Sequence, residues 1–541
     1  MQRGFIMIPS KEQQNIIEYN GNIVVIAQPG SGKTFTLVNK INSILDELPS
    51  FKGVIAISFT RKASRELEKR CLEGGIEKKG TFFGTMDKFY ISEIILPFGR
   101  HIFGKPKKEL EIIDKDHPIS KGYIDCDRGE ELQTWFKSNI ATLKLLYTEG
   151  YVILESVSEL AMEVLINSQA CKRYLRARFS HIIIDEYQDS GKDQHKLFME
   201  LNNLGLIGIA VGDINQSIFG FANKSSEYLI ELAQNSNFKL FQITKNHRCH
   251  PSIINYSMKL ISREFNDFIQ TNENRMYKKH IVGNEIDIAR WVDTVIPQIM
   301  TKYNVDHFNE VGILVRGNRT GNIINEELSL NHKYFNGTPF DNDSSLWGNI
   351  FENTLNFIFN KKSTKYELIE QFLDIEIQFD KAKKVIKLLH DVEGLEKYQS
   401  PLELLDKFIE IASLIYPNAV NINSINILQK ILSDQILLEK FKPADSDQVQ
   451  IMTLHKSKGL EFDIVFHLDL YKYIMPSSYN GEFISPIQDL NLHYVGITRA
   501  KKVCILCTST KRHNRNGEIS GIESEFLQIP RLYSLRSNFM Y

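Results

Sequence analysis

Two short strings in this 541-residue chain carry side chains suited to polyphosphate chemistry. Ala27-Gln28-Pro29-Gly30-Ser31-Gly32-Lys33-Thr34 follows the apolar run Ile23–Ile26, and Asp185-Glu186-Tyr187-Gln188-Asp189 follows Ile182-Ile183-Ile184. The first has the form of a phosphate loop. Backbone N–H groups of the Gly-rich turn and the helix N-terminus behind it cradle a polyphosphate, and Lys33 reaches its outer oxygens. Ala27 stands where the pattern usually has its first glycine, while Gly30, Gly32, Lys33 and Thr34 keep the rest. The Thr34 hydroxyl and the Asp185 and Glu186 carboxylates form a candidate magnesium set, with Glu186 also suited to activating an attacking water. Binding and hydrolysis of a nucleoside triphosphate is the chemistry these residues predict.

An α/β framework must position them. An apolar run ending in Asp-Glu reads as a buried parallel strand that delivers its acids to the carboxyl end, where open α/β sheets bind ligands. Similar runs at Val54–Ser58, Leu206–Asp213, Val311–Arg316, Val449–Thr453, Ile464–Leu468 and Val503–Cys507 predict further strands. Between them the rhythm turns amphipathic and helical, as in Glu130–Tyr147, Val157–Leu175, Tyr366–Phe379, Lys381–Val392 and Leu402–Ile415. The predicted division is a first α/β core over 1–90 and 176–244, interrupted by a helical insertion at 91–175. A second core follows over 245–324 and 444–541, interrupted at 325–443. The chain is too long for a single core in any case.

Composition is ordinary for a globular protein, with 42% hydrophobic and 24% charged residues. A formal charge of −1 gives no global basic field, yet local clusters such as Lys172-Arg173 with Arg176 and Arg178 leave room for a nucleic-acid groove. Six cysteines predict a reducing compartment and no disulfide framework. Cys504 and Cys507 fall on a predicted strand, where a separation of three turns the thiols to opposite faces and makes them poor joint metal ligands. No signal pattern and no apolar run of spanning length is present, so a cytoplasmic location without a membrane partner is expected.

Further strings complete a series: Glu12-Gln13-Gln14, Ser58–Ala63, Gly84-Thr85, Val211–Phe219, Asn246-His247-Arg248, Leu454–Phe462 and Tyr494–Lys501. In this order, with the phosphate loop and the acid pair, they resemble the superfamily 1 helicases of the UvrD/Rep/PcrA type across nearly the whole chain. The resemblance implies two RecA-like parallel-sheet domains, each with a mainly helical insertion. It places ATP with magnesium in the cleft between them and single-stranded DNA across their tops. Gln13 resembles the glutamine that reads adenine, with Gln14 as the alternative, and Gln216 the residue that senses the γ-phosphate. Arg248 and Arg499 resemble two arginines that clamp the γ-phosphate, a role suited to a permanently charged planar fork. Glu461 resembles the acid that holds the ribose. Phe59, Thr60, Gly84, Thr85, Phe219, Phe221, Arg316, Asn318, Thr453 and His455 match positions lining the DNA track.

Departures are visible too. His247 replaces a tyrosine that stacks on adenine, Ala222 replaces an arginine, and Met86-Asp87 replaces a Phe-His pair. The first reading is an ATP-driven helicase or translocase moving 3′ to 5′ on single-stranded and tailed duplex DNA. The second is a regulatory ATPase that senses DNA or nucleotide and controls a partner nuclease, with antiphage defence as its setting. Self-association is a further partner expectation. A nucleotide-binding protein without motor activity is the third, and the intact Glu186, Arg248 and Arg499 argue against it.

Overall fold

The computed structural model describes residues 8–540 except 74–75, 114, 116, 125–128, 215–225, 344, 360–363, 374, 376–377 and 480–481. Two parallel sheets organise the chain. The first has six strands in the order Phe82–Gly84, Gly53–Ile57, Phe179–Ile184, Ile207–Gly212, Ile23–Ala27 and Lys239–Ile243. The second has seven, in the order His332–Phe335, Val449–Thr453, Val311–Val315, Phe462–His467, Ala500–Ser509, Met276–Ile281 and Ser537–Asn538. Every neighbouring pair in both sheets runs parallel. These are two RecA-like α/β cores.

Burial on both faces explains why the central strands are apolar runs. In the first sheet Ile23, Val25, Val54 and Ile183 pack with Leu37, Ile41 and Leu45 of the helix Lys33–Glu47. The opposite face, with Val24, Ile55, Ile57, Ile182 and Ile184, shares one core with Phe89 and Tyr90, just ahead of the first insertion, and with Leu160 and Val164 inside it. That insertion is therefore fused to the sheet it interrupts. The second insertion has a core of its own, built on Trp347, Phe351, Leu389, Phe408 and Leu428. In the second sheet Cys504 and Cys507 join different clusters on its two faces, as their spacing on a strand requires.

Several elements differ from the sequence reading. His332–Phe335, inside the span read as the second insertion, pairs with Val449–Met452 at the edge of the second sheet. The first insertion carries a two-stranded parallel pair, Glu111–Ile113 with Tyr151–Ile153, among its helices. The helix predicted over Tyr366–Phe379 covers Lys365–Ile369 and then yields to turns, and a separate helix runs over Phe379–Val392. Asn139 separates the helix Gly129–Ser138 from Ile140–Thr148, and Ser168 caps Gln169–Arg178 after Val157–Asn167 ends. No helix among the described residues is long and apolar enough to cross a membrane.

Candidate functional site

The phosphate loop leaves the carboxyl end of Ile23–Ala27 and turns into Lys33–Glu47 through two left-handed glycines, Gly30 at φ 68° and Gly32 at φ 81°. Close packing also excludes side chains there. A Cβ on Gly30 would lie 2.5 Å from Arg248 Cβ, and one on Gly32 would lie 2.8 Å from Gln13 Nε2. Gln13 is buried, takes part in a capping box with Ser10, and donates from Nε2 to the Ser31 carbonyl at 3.1 Å. Gln14 points to solvent and bonds Glu18, so helix phase separates the two glutamines. Ser31 Oγ is buried with no hydrogen-bond partner. A loop of left-handed glycines with an orphaned hydroxyl and a lysine at the helix start fits a bound polyphosphate.

Lys33 Nζ meets both Glu186 oxygens, at 3.1 and 3.2 Å. Burial alone would lower this ammonium, but Glu186, Asp185 and Asp213 together more than offset that and raise it. Burial likewise works to raise the Glu186 carboxyl, yet Lys33, a hydrogen bond from Gln188 and the Lys458 charge hold it below its ordinary value. Burial and the Glu186 charge raise Asp185. The two neighbouring acids are thus pushed apart, with Glu186 kept ionised. Glu186 sits at φ 53°, a left-handed conformation uncommon for a side-chain-bearing residue, and its N–H donates to Asp185 Oδ1 at 2.9 Å. Gln188 ties this turn to the next strand, accepting from Asp213 N at 3.0 Å. Thr34 is half-buried one residue beyond Lys33. The oxygen donors Thr34 and Asp185 beside an ionised Glu186 fit magnesium, a hard cation.

Groups from the second core complete the cleft. After Lys239–Ile243 the chain crosses it, with Asn246 Nδ2 donating to the Pro29 carbonyl at 2.6 Å and His247 N to the Gly30 carbonyl at 2.8 Å. The His247 ring is exposed beside the loop. Arg248 pairs with Glu461 at 2.5 Å, so the acid expected at the ribose holds an arginine in this structure. Arg499 is 2% exposed and donates to the Val495 carbonyl at 3.1 Å and the Leu460 carbonyl at 3.2 Å. Burial, then the neighbouring Arg248 charge, lowers its guanidinium to about 10, so it stays cationic at neutral pH.

Lys458, for which the sequence reading had no role, pairs with Asp189 at 2.7 Å across the cleft. Breaking a buried pair by removing one partner costs about 3–5 kcal/mol, because the other charge is left uncompensated. Asp189→Asn is therefore expected to separate the two cores, and adding Lys458→Met should recover much of the closure. An interdomain energy-transfer distance measures both. The same distance in wild type and both variants would show that the pair contributes nothing to closure.

The expected DNA residues cluster by strand end. Phe59 and Thr60 follow Gly53–Ile57, Gly84 and Thr85 close Phe82–Gly84, Arg316 and Asn318 follow Val311–Val315, and Thr453 and His455 end Val449–Thr453. All lie at carboxyl ends, the side on which open α/β sheets bind ligands. Phe59 is 36% exposed, as a stacking platform requires and a core phenylalanine does not. The Thr60 and Thr85 hydroxyls cap helices by accepting from Ala63 and Lys88 N–H. Arg316 is held by Asp489 at 3.2 Å, and burial, then the Arg316 charge, lowers His455. Gln216, Phe219, Phe221 and Ala222 lie outside the described residues. Besides Lys458, sequence reasoning gave no part to Gln188, Asp213 or Asn246. Each stood within a quoted string, but its partner lies on a distant segment.

Residues 11–222 match an AAA domain, and residues 344–511 match the UvrD-like helicase C-terminal domain. The chain is similar to Gabija protein GajB of Bacillus cereus (strain VD045), at 29% identity over 93% of this chain and 96% of that protein. It is also similar to DNA helicase II of Escherichia coli (strain K12), at 22% identity over 96% of this chain and 86% of the relative. ATP-dependent DNA helicase PcrA of Bacillus subtilis (strain 168) matches at 21% identity over 93% and 82%.

Proposed function

The chain belongs to the UvrD/Rep/PcrA-like superfamily 1 helicases and is an ATP-hydrolysing DNA helicase, and from that premise we propose that it moves 3′ to 5′ along single-stranded DNA. The observation that carries the motor reading is the divided site. Lys33 and Glu186 stand on one core, and Arg499, Glu461 and Lys458 come from the other. Hydrolysis then requires closure, and closure moves the two strand-end clusters relative to each other. In this reading Gln13 reads adenine, with the exposed His247 ring stacking beside it. The backbone from Gln28 to Gly32 and Lys33 hold the phosphates, and Thr34 and Asp185 hold magnesium. When bound, magnesium neutralises charge on the outer phosphates. Glu186, kept ionised by Lys33 and Gln188, orients the attacking water and accepts its proton. Arg248 and Arg499 meet the γ-phosphate, Gln216 senses it, and Glu461 exchanges its arginine for the ribose hydroxyl. DNA lies along Phe59, Thr60, Gly84, Thr85, Phe219, Phe221, Arg316, Asn318, Thr453 and His455.

Displacement of streptavidin from biotinylated oligonucleotides tests the direction. The expected result is ATP-dependent displacement from the 5′ end, toward which a 3′-to-5′ motor pushes. Preferential displacement from the 3′ end reverses the assignment. Unwinding of a long 3′-tailed duplex by the isolated monomer is expected to be weak, improving with a second copy or a partner protein.

A second reading is a regulatory ATPase that controls a partner nuclease in antiphage defence. The nearly end-to-end match to a Gabija protein favours it, since the E. coli helicase II matched here extends further beyond the aligned region. ATPase rates with and without single strands separate the two. Strong stimulation supports the motor, and none supports the regulator.

A further inference from the structure

Away from the ATP site, a cavity of about 1010 Å³ lies where the first core meets both insertions. Pockets for drug-sized ligands run about 300–1,000 Å³, so this one has room for a polymer segment. Gly84 and Thr85, at the carboxyl end of Phe82–Gly84, form part of its wall. From there the wall follows a continuous helical stretch, Met86–Phe103, whose middle section Tyr90–Ile95 is π-helical. Such turns are rare and recur at functional sites. Ser92 lies in that turn and lines the cavity, and its buried Oγ has no hydrogen-bond partner.

Three exposed cations line the same cavity. Lys88, Arg100 and Lys105 make no ion pair among the described residues, whereas the neighbouring Lys107 and Lys108 are tied to Glu149 and Glu111. The second insertion contributes Phe372 and Tyr416. Two contacts bring the walls together: His117 Nε2 with the Asn418 carbonyl, and Arg65 with the Glu367 carbonyl.

We infer that this cavity is a second binding segment for single-stranded nucleic acid, continuing the strand track past Thr85. The inference rests on the DNA reading above. Spacing favours a strand over a small anion. Lys88 and Arg100 are twelve residues apart on one helical stretch, roughly 15–18 Å along its axis, since the α-helical rise of 1.5 Å per residue is an upper limit through the π-helical section. No single phosphate group reaches both, whereas successive phosphates of one strand do. Phe372 and Tyr416 line the cavity while packing against the core of the second insertion, and aromatic side chains along such a groove make sequence-tolerant contacts with bases.

The test is strand affinity of the full chain against salt and against oligothymidylate length. Each phosphate contact on a single strand contributes about 0.7 to the slope of log affinity against log salt. Arg100→Gln with Lys105→Gln should therefore lower that slope by about 1.4 and abolish the affinity gained by lengthening the strand. Arg100→Lys with Lys105→Arg should restore both, which a folding defect would not allow. A double variant with the wild-type slope and length dependence overturns the proposal while leaving the DNA reading intact. Lost binding of inorganic polyphosphate with an unchanged strand slope overturns it in favour of a small anionic ligand. A wild-type chain that binds no single strand of any length overturns both.

Discussion

Replacing Arg499 by alanine should remove DNA-stimulated ATP hydrolysis while leaving single-strand affinity within a few-fold of wild type. An arginine supplied on closure is worth roughly 10³–10⁵ in turnover, because it neutralises charge that develops only in the transition state. The structure prepares Arg499 for this. Its guanidinium is buried, and the Val495 and Leu460 carbonyls fix its plane, so little reorganisation remains at the moment of reaction. Alanine also leaves those two carbonyls without their donor, so Arg499→Lys is the companion variant. Lysine keeps the charge but loses the planar fork, and an intermediate rate is expected. Steady-state ATPase at saturating oligothymidylate, with DNA affinity measured across a salt series, reads the result. A parallel fall in DNA affinity and a shallower salt dependence would identify Arg499 as a backbone-phosphate contact instead.

Glu186→Gln is expected to keep ATP binding and lower turnover by at least about 10²-fold, the scale of a lost general base. The amide preserves the side chain's size and its place beside Lys33 and Gln188, but it cannot take the proton from water. Lys33→Ala should instead weaken binding and hydrolysis together, since Lys33 holds Glu186 ionised and, in the proposed reading, also meets the phosphates. A fluorescent ATP analogue measures affinity and single-turnover hydrolysis measures the chemical step. Wild-type turnover in Glu186→Gln would remove Glu186 from the base role.

The sequence by itself determined the strands that matter most, and the reason is burial. Ile23–Ala27 and Gly53–Ile57 are covered on both faces, so they appear as unbroken apolar runs, and the loops at their carboxyl ends hold candidate site residues. A strand at the edge of a sheet, or one step in from it, carries no such signal. Lys239–Ile243 buries only Ile243, and Met276–Ile281 has two lysines, so neither stood out before the sheet order was known. The phosphate loop and acid pair were legible because a local string fixes both a backbone turn and its side chains.

Pairings between distant strings were not legible. Lys33 meets Glu186 because Ile207–Gly212 lies between their strands in a shared register, a consequence of sheet order and not of any local pattern. Helix phase, invisible in Gln13-Gln14 as letters, turned one amide inward and the other to solvent. Asp189 with Lys458, Arg248 with Glu461, and the cavity between the insertions exist only because separately folding layers dock. The sequence supplied the charges, and docking decided which of them meet, because a contact across a cleft depends on sheet order and crossing geometry that periodicity within one segment does not encode.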